Sequence, residues 1–412
     1  MAIIRPFQAL RYSVRAGDPA RLLTQPYDKI NPEMQARYLA ASEHNLVRII
    51  LGEKRETDDD SANVYTRGAQ YFEQWIRAGI LQQDAAPGFY AYFQEFQVPD
   101  SAEKLTRQGF IGLGKVEDYA AQVVYRHEQT LSGPKKDRLQ VLRHSRAHFG
   151  QIFMLYPDRQ GALDAELTVA AHGIPLMDVT DEYCARHRLW AITDVARIAA
   201  IETHMRPMKL LIADGHHRYE TALNYRDENP GDPAAEFVMM TFVNMYSPGL
   251  KILATHRVLR GMSGFNVDTL IAQAQGRWSV SRYNTPEELK SVLNMAEPVR
   301  VRIGLVTTGQ ILLLERPREG GELDVPVLHH EILGGYLGIS EEAVREEKYI
   351  QYVRGMDSAV QQVREHGAQA AFLLEPTPID DMARIAFAGG VMPQKSTDFY
   401  PKLLTGMAIY RL

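Results

Sequence analysis

The residues best suited to chemistry in this 412-residue chain are Asp214-Gly215-His216-His217-Arg218. The apolar run Leu210-Leu211-Ile212-Ala213 leads into them and Tyr219-Glu220-Thr221-Ala222 follows. That pattern predicts a strand, a glycine turn and a helix in immediate succession. At such a helix start the unpaired backbone N–H groups face outward and the dipole favours negative charge, so the turn is an anion site. Gly215 lets the backbone approach a ligand closely. Arg218 offers phosphate a bidentate fork, and His216 and His217 can donate or exchange protons. Asp214 could bind a metal or cap the helix. The local alternative makes Asp214 a cap and leaves the histidines satisfied by their neighbours. Two histidines and an arginine on one tight turn favour the functional reading.

A second cluster is His127-Glu128-Gln129-Thr130, followed by Lys135, Asp137 and Arg138. Glu128 has the chemistry of a general base, and Lys135 or Arg138 could neutralise transferred phosphate. A charged surface loop would look the same. Lys395-Ser396-Thr397 could grip phosphate or substrate, and Gln25-Pro26-Tyr27-Asp28 places a polar aromatic beside an acid. Both are unspecific taken alone. The chain lacks a Gly-x-x-x-x-Gly-Lys-Ser/Thr loop, a complete dinucleotide fingerprint, a His-Glu-x-x-His helix and a Gly-x-Ser-x-Gly elbow.

The elements that must position these groups alternate between α and β. Helices are expected over 31–42, 65–81, 194–205, 325–337 and 358–366, and another from His217 or Arg218 to Arg226. A further helix has Pro134 in its first turn and Leu139, Leu142 and Phe149 along its apolar edge. Strands are expected over 89–98, 109–116, 122–126, 151–156, 209–213, 237–244 and 370–374. A hairpin is expected over 299–315, turning near Thr308-Gly309. The fold class is therefore α/β of the mixed α+β kind. Three parts are expected: 1–98 as an N-terminal α/β segment, 99–262 as the core with the Gly-x-x-Arg turn, and 263–412 as a C-terminal α/β region.

Composition narrows the function. Apolar residues make up 45% and charged residues 24%, an ordinary globular balance. The net charge of −5 argues against a protein that binds nucleic acid by bulk phosphate neutralisation. The single cysteine, Cys184, excludes an intrachain disulfide and a cysteine-rich zinc site. The first residues lack the basic and apolar regions of a signal peptide, and no apolar run reaches bilayer length. A cytoplasmic protein with no membrane partner is expected.

Read together, these segments resemble the prokaryotic family known as domain of unknown function 1015. The resemblance is carried by Arg5-Pro6-Phe7, Pro26-Tyr27-Asp28, His127-Glu128-x-Thr130 and Lys135-x-Asp137-Arg138. It continues through Asp214-Gly215-His216-His217-Arg218-Tyr219-Glu220-Thr221-Ala222, Thr255-His256-Arg257 and Met392-Pro393-Gln394-Lys395-Ser396-Thr397. One departure is Asp398, where the family usually carries an aromatic residue. The strand–Gly-x-x-Arg–helix segment is in turn similar to the phosphate-binding motif of the ParB/sulfiredoxin-like superfamily, which includes kinases of free serine. That similarity implies a ParB/sulfiredoxin-like core with N- and C-terminal α/β additions.

It also implies a nucleotide-dependent phosphotransferase acting on a small hydroxylated metabolite, free serine being the first candidate. ATP or ADP would serve, CTP being a further candidate, with Mg²⁺. Gly215 and Arg218, with Lys135, Arg138, Lys395, Ser396 and Thr397, would hold the nucleotide phosphates. Glu128, His127, Asp214, His216 and His217 would carry the catalysis, and Tyr27, Asp28, Thr130 and His256 would touch the substrate. Two alternatives stand beside it. One is a metal-dependent phosphohydrolase with ligands from Asp214, His216, His217, His127, Glu128 and His256. The other is a non-catalytic nucleotide-binding regulator, for which no helix-turn-helix signal is seen.

Overall fold

The computed structural model describes residues 1–128, 132–295 and 297–412, with backbone alone for 132–134. It is a mixed α/β protein of two compact units: 1–98, 102–251 and 401–412 form the first, and 99–101 with 252–400 form the second. Among the described residues no helix is long and apolar enough to cross a membrane.

The first unit is built on one mixed sheet. Its strands lie in the order Val124–Tyr125, Leu210–Asp214, Ile152–Tyr156, Phe237–Asn244, Lys104–Lys115, Phe89–Gln97, Arg186–Ile192 and Met177–Thr180. Ile4–Arg5 pairs with the end of the long Lys104–Lys115 strand. Ile152–Tyr156 is buried at every position, so it reads as an unbroken apolar run rather than an alternating one. One face of the sheet packs on a core that includes Phe110, Ile152, Met154, Ile212, Met240 and Phe242. The helices Val195–Met205 and His216–Glu228 send Ile201, Met205, Tyr219 and Ala222 into the same cluster. Over the opposite face run the N-terminal segment and residues 401–412, where Leu404 N–H donates to the Tyr92 hydroxyl and Thr24 and Thr405 form a backbone bridge.

The second unit holds a six-stranded antiparallel sheet in the order Ser279–Tyr283, Ile311–Pro317, Arg300–Val306, Ala370–Leu373, Thr255–Leu259 and Ile350–Arg354. The expected hairpin is there, closed by Gln310 N–H donating to the Thr307 hydroxyl at 3.0 Å and by Thr307 N–H donating to the Gln310 carbonyl at 2.9 Å.

Several expected boundaries shift for local reasons. The helix expected to reach residue 81 ends as Val64–Arg77, because Gly79 turns at a φ of +69° and Leu81–Gln83 becomes a strand. The helix Ser132–Ser145 stops before Phe149. The segment expected as one regular helix over 325–337 is a short α turn, Asp324–Val327, followed by a π-helix, Leu328–Tyr336. A Cβ on Gly334 would stand 3.2 Å from the carbonyl of His329, five residues earlier, so the wide turn suits the glycine there.

Candidate functional site

The Leu210–Asp214 strand ends in an irregularity that decides where Asp214 points. Against the antiparallel strand Ile152–Tyr156, Ile212 pairs with Met154, but Asp214 pairs with Phe153, so one extra residue is absorbed between them. This is a β-bulge. Ile212 and Met154 lie in the core cluster. Regular alternation would send Asp214 to that face too, and the bulge turns it to the face of Phe153 instead.

Gly215 follows at a φ of +92°, a left-handed conformation that favours glycine, and caps the helix His216–Glu228. Arg218 folds back across it. A Cβ on Gly215 would lie 3.0 Å from the guanidinium, and one on Gly150 would lie 3.3 Å from its Nη1. The guanidinium is thus held between two positions without side chains. Its Nη1 donates to the Gln151 carbonyl, and its Nη2 donates to Asp214 Oδ2 at 2.9 Å.

Asp214 is shared. Lys402 Nζ lies 3.3 Å from Oδ1, on the oxygen that Arg218 does not take. Burial alone would raise the Asp214 carboxyl, but Lys402, Arg218, Lys29 and His216 together hold it far below the usual carboxylate range. Beneath lies Arg107, 1% exposed, its guanidinium 4.6 Å over the ring of Phe153. Burial pulls Arg107 down to about 9 while Tyr92 and Asp214 favour its charge, so it stays a cation at neutral pH.

Arg107 belongs to a buried polar row across three strands: Arg107 is opposite Gln94, and Gln94 opposite His187. Arg107 Nε donates to Gln94 Oε1 at 3.0 Å. The Tyr92 hydroxyl lies 2.7 Å from His187 Nδ1, and His187 Nε2 lies 3.2 Å from Asp181. The row also fastens the chain that delivers Lys402, for Gln94 Nε2 donates to the Lys402 carbonyl at 2.9 Å and Arg107 to that of Pro401.

The histidines divide. His127 is fully buried, with Nδ1 2.8 Å from the Ile212 carbonyl. A carbonyl only accepts, so Nδ1 carries the proton and Nε2 the lone pair. The ring of His216 meets it edge-on at 4.8 Å, and its Nε2 is buried without a hydrogen-bond partner. Burial pushes His127 down to about 4, against the pull of the Ile212 carbonyl and Asp214. Burial, with His127 beside it, drives His216 well below the usual range. Both are neutral at neutral pH. His217 is half-buried on the same turn, and Glu128 is half-buried beside His127.

The structure places the remaining expected residues as follows. Lys135 pairs with Glu220, which Arg126 also approaches at 3.4 Å. Arg138 pairs with Asp137 and lies 4.0 Å over the ring of Tyr27. Burial raises the Tyr27 hydroxyl to about 12, tempered first by Arg138. Asp28 lies 3.9 Å from Lys29. Thr130 lies outside the described residues. A cavity of about 550 Å³, counted with its open mouth, lies beside Arg218 and is lined by Tyr27, Arg138, His148, Gly150, Thr221 and Thr405 among others.

His256, Lys395, Ser396 and Thr397 belong to the second unit. His256 is buried with Nδ1 accepting from Leu374 N–H at 3.2 Å, and the Ser396 hydroxyl donates to the Pro393 carbonyl at 2.7 Å. Asp398 is paired with Arg354, whose Nη2 lies 2.9 Å from Oδ1. Among the described residues no group of three or more His, Cys, Asp or Glu side chains is arranged to hold a metal ion.

Sequence reasoning missed Lys402, Arg107, Gln151 and Glu220. Glu220 was within reach, four residues along the helix from His216. The others come from distant segments.

No curated protein matches the chain. Solved structures that resemble it include a conserved hypothetical protein from Pyrococcus furiosus, at 12% identity and a TM-score of 0.36, covering 69% of this chain and 92% of the other. A free serine kinase in complex with AMP matches at 12% identity and a TM-score of 0.37, covering 69% and 89%. SbnI with a C-terminal truncation, from Staphylococcus aureus, matches at 11% identity and a TM-score of 0.38, covering 72% and 87%. The model of the family described as protein of unknown function, DUF1015, matches residues 4–334, and the chain belongs to that family.

Proposed function

We propose that this protein is a nucleotide-dependent phosphotransferase acting on a small hydroxylated metabolite, with free serine the first acceptor to assay. The observation that carries the reading is the meeting of two cations, Arg218 and Lys402, at the glycine-led start of the His216–Glu228 helix, beside an open pocket. Phosphoryl transfer asks mainly for positioning and for charge stabilisation, and the turn supplies both.

In this reading Gly215 and the first helical N–H groups accept a phosphate, and Arg218 and Lys402 neutralise it. Glu128 takes the proton of the acceptor hydroxyl. The His127–His216 pair, kept neutral, hydrogen-bonds reacting groups without adding charge. The core is assigned a ParB/sulfiredoxin-like arrangement, and a cytoplasmic location goes with it. Mg²⁺ fits the donors present, since phosphate oxygens and one carboxylate, from Glu128 or Asp214, satisfy its usual demand. Bound there, it would neutralise phosphate charge.

The test is a thermal-shift series of ATP, ADP, CTP and inorganic phosphate, with and without Mg²⁺, on wild type and Arg218→Ala. A nucleotide at a hundred times its Kd should stabilise wild type by about 2.7 kcal/mol, and the variant should lose that shift. No shift with any nucleotide would overturn the proposal.

A further inference from the structure

Arg218 cannot meet a ligand phosphate with its full fork while it donates to Asp214. That conflict, which rests on the phosphotransferase reading, has a structural resolution. Asp214 presents two oxygens to two cations, Oδ2 to Arg218 at 2.9 Å and Oδ1 to Lys402 at 3.3 Å. A tetrahedral oxyanion offers the same arrangement, two oxygens bridging two cations. We infer that Asp214 is a built-in counter-ion that a ligand oxyanion displaces, with Lys402 and Arg218 passing together from the carboxylate to the ligand.

Three further observations support the exchange. Gln151, whose carbonyl already holds Arg218, is fully buried and has neither amide atom hydrogen-bonded. It lies two residues before Phe153, on the side of the strand that Asp214 shares. A buried carboxamide without partners is costly, and an oxyanion between the cations would accept from its Nε2. Lys402 itself is only 9% exposed, and its backbone is pinned by Gln94, so it has a short range of positions from which to choose an anion.

The exchange also gives Asp214 two states. While paired, it is held ionised by Lys402, Arg218 and Lys29, with Arg107 behind it. Once the cations leave, the carboxylate is a stronger base next to the newly bound oxyanion. Binding of the anion thus switches on a proton acceptor that is silent in the resting protein.

The probe is sulfate, which does not titrate in the working range, measured by calorimetry on wild type, Asp214→Asn and Lys402→Met. Asp214→Asn should bind sulfate about tenfold more tightly, since the competing charge is gone, and Lys402→Met should bind it at least tenfold more weakly. In wild type at pH 5, sulfate binding should take up protons, seen as heats that depend on the buffer, and Asp214→Asn should lose that dependence. Equal or weaker sulfate binding by Asp214→Asn, with its melting curve intact, overturns the exchange. Should that variant not fold, a Lys402→Met protein with unchanged sulfate affinity does the same. Tighter sulfate binding without phosphate transfer to any hydroxyl acceptor would sink the phosphotransferase reading and leave the exchange standing.

Discussion

Each unit buries an arginine at its sheet, and the two differ in what they face. In the second unit Arg257, with no exposure, donates to the carbonyls of Thr255 and Lys395 and through Nε to His329 Nε2 at 3.2 Å. These three acceptors are neutral, and the contacts tie residues 394–395 to the Thr255–Leu259 strand. In the first unit Arg107 ties residue 401 in a similar way but also acts on the charge of Asp214, a carboxylate that Arg218 and Lys402 already share. Similar burial thus serves two ends. Cations answered by carbonyls hold chain segments in place, whereas the cations gathered on Asp214 are, in the exchange proposed above, the ones a ligand anion would take over.

The sharpest way to break that contrast is to remove one cation from each unit. Arg218→Ala should lower any phosphotransfer rate by about a hundred- to a thousandfold, as loss of a transition-state charge partner does, and should weaken nucleotide binding. Arg257→Leu should do the reverse. It leaves buried carbonyls and His329 without their donor, costs on the order of 3 kcal/mol in denaturant unfolding, and leaves nucleotide affinity unchanged. If Arg257→Leu weakened nucleotide binding while folding normally, the contrast would fail.

Acid should test both units through their histidines. Burial pushes His127 and His148 down to about 4, and His256 and His329 down to about 3. A histidine whose folded value is depressed stabilises fully above its unfolded value of about 6.5, and that stability is lost as pH falls towards the folded value. Stability should therefore drop between about pH 6.5 and 4 by roughly 1.4 kcal/mol per pH unit for each such group. The check is a set of urea titrations across that range. A flat profile would mean these rings are not held neutral.

Gly215→Ala should cost about 1–2 kcal/mol for the left-handed conformation and push the Arg218 guanidinium off its seat, raising nucleotide Kd about tenfold. The smallest effect is expected from Ser396→Ala, about 1 kcal/mol for the lost bond to Pro393 with nucleotide affinity unchanged. Weakened affinity would instead return that hydroxyl to the phosphate.

The turn itself was legible because all its parts are local: an apolar strand, a glycine, and a helix beginning at once. The Phe237–Asn244 strand and the helix Pro32–Ala41, capped by Asn31, were readable for the same reason. What surrounds the turn was not. Lys402 reaches Asp214 across 188 positions of sequence, and Arg107 and Gln151 arrive on other strands. No spacing rule connects them. The strands Met177–Thr180 and Arg186–Ile192 also escaped notice, since Arg186, Arg188 and Asp178 break the apolar pattern by pairing across the sheet with one another and with Glu95.

The bulge before Asp214 makes the site a matter of counting. Because 210–213 are all apolar and buried, the chain should tolerate aliphatic swaps of similar volume there, but not an added residue. Adding one residue, with the bulge still absorbing only one, would bring the carboxylate opposite Ile152 and rotate it by one pleat, from the cations into the apolar cluster around Met154 and Tyr219. Volume-conserving swaps along this strand should therefore be mild and single-residue insertions severe. In a segment with no catalytic side chain of its own, the reading frame of the pleat is what is under constraint.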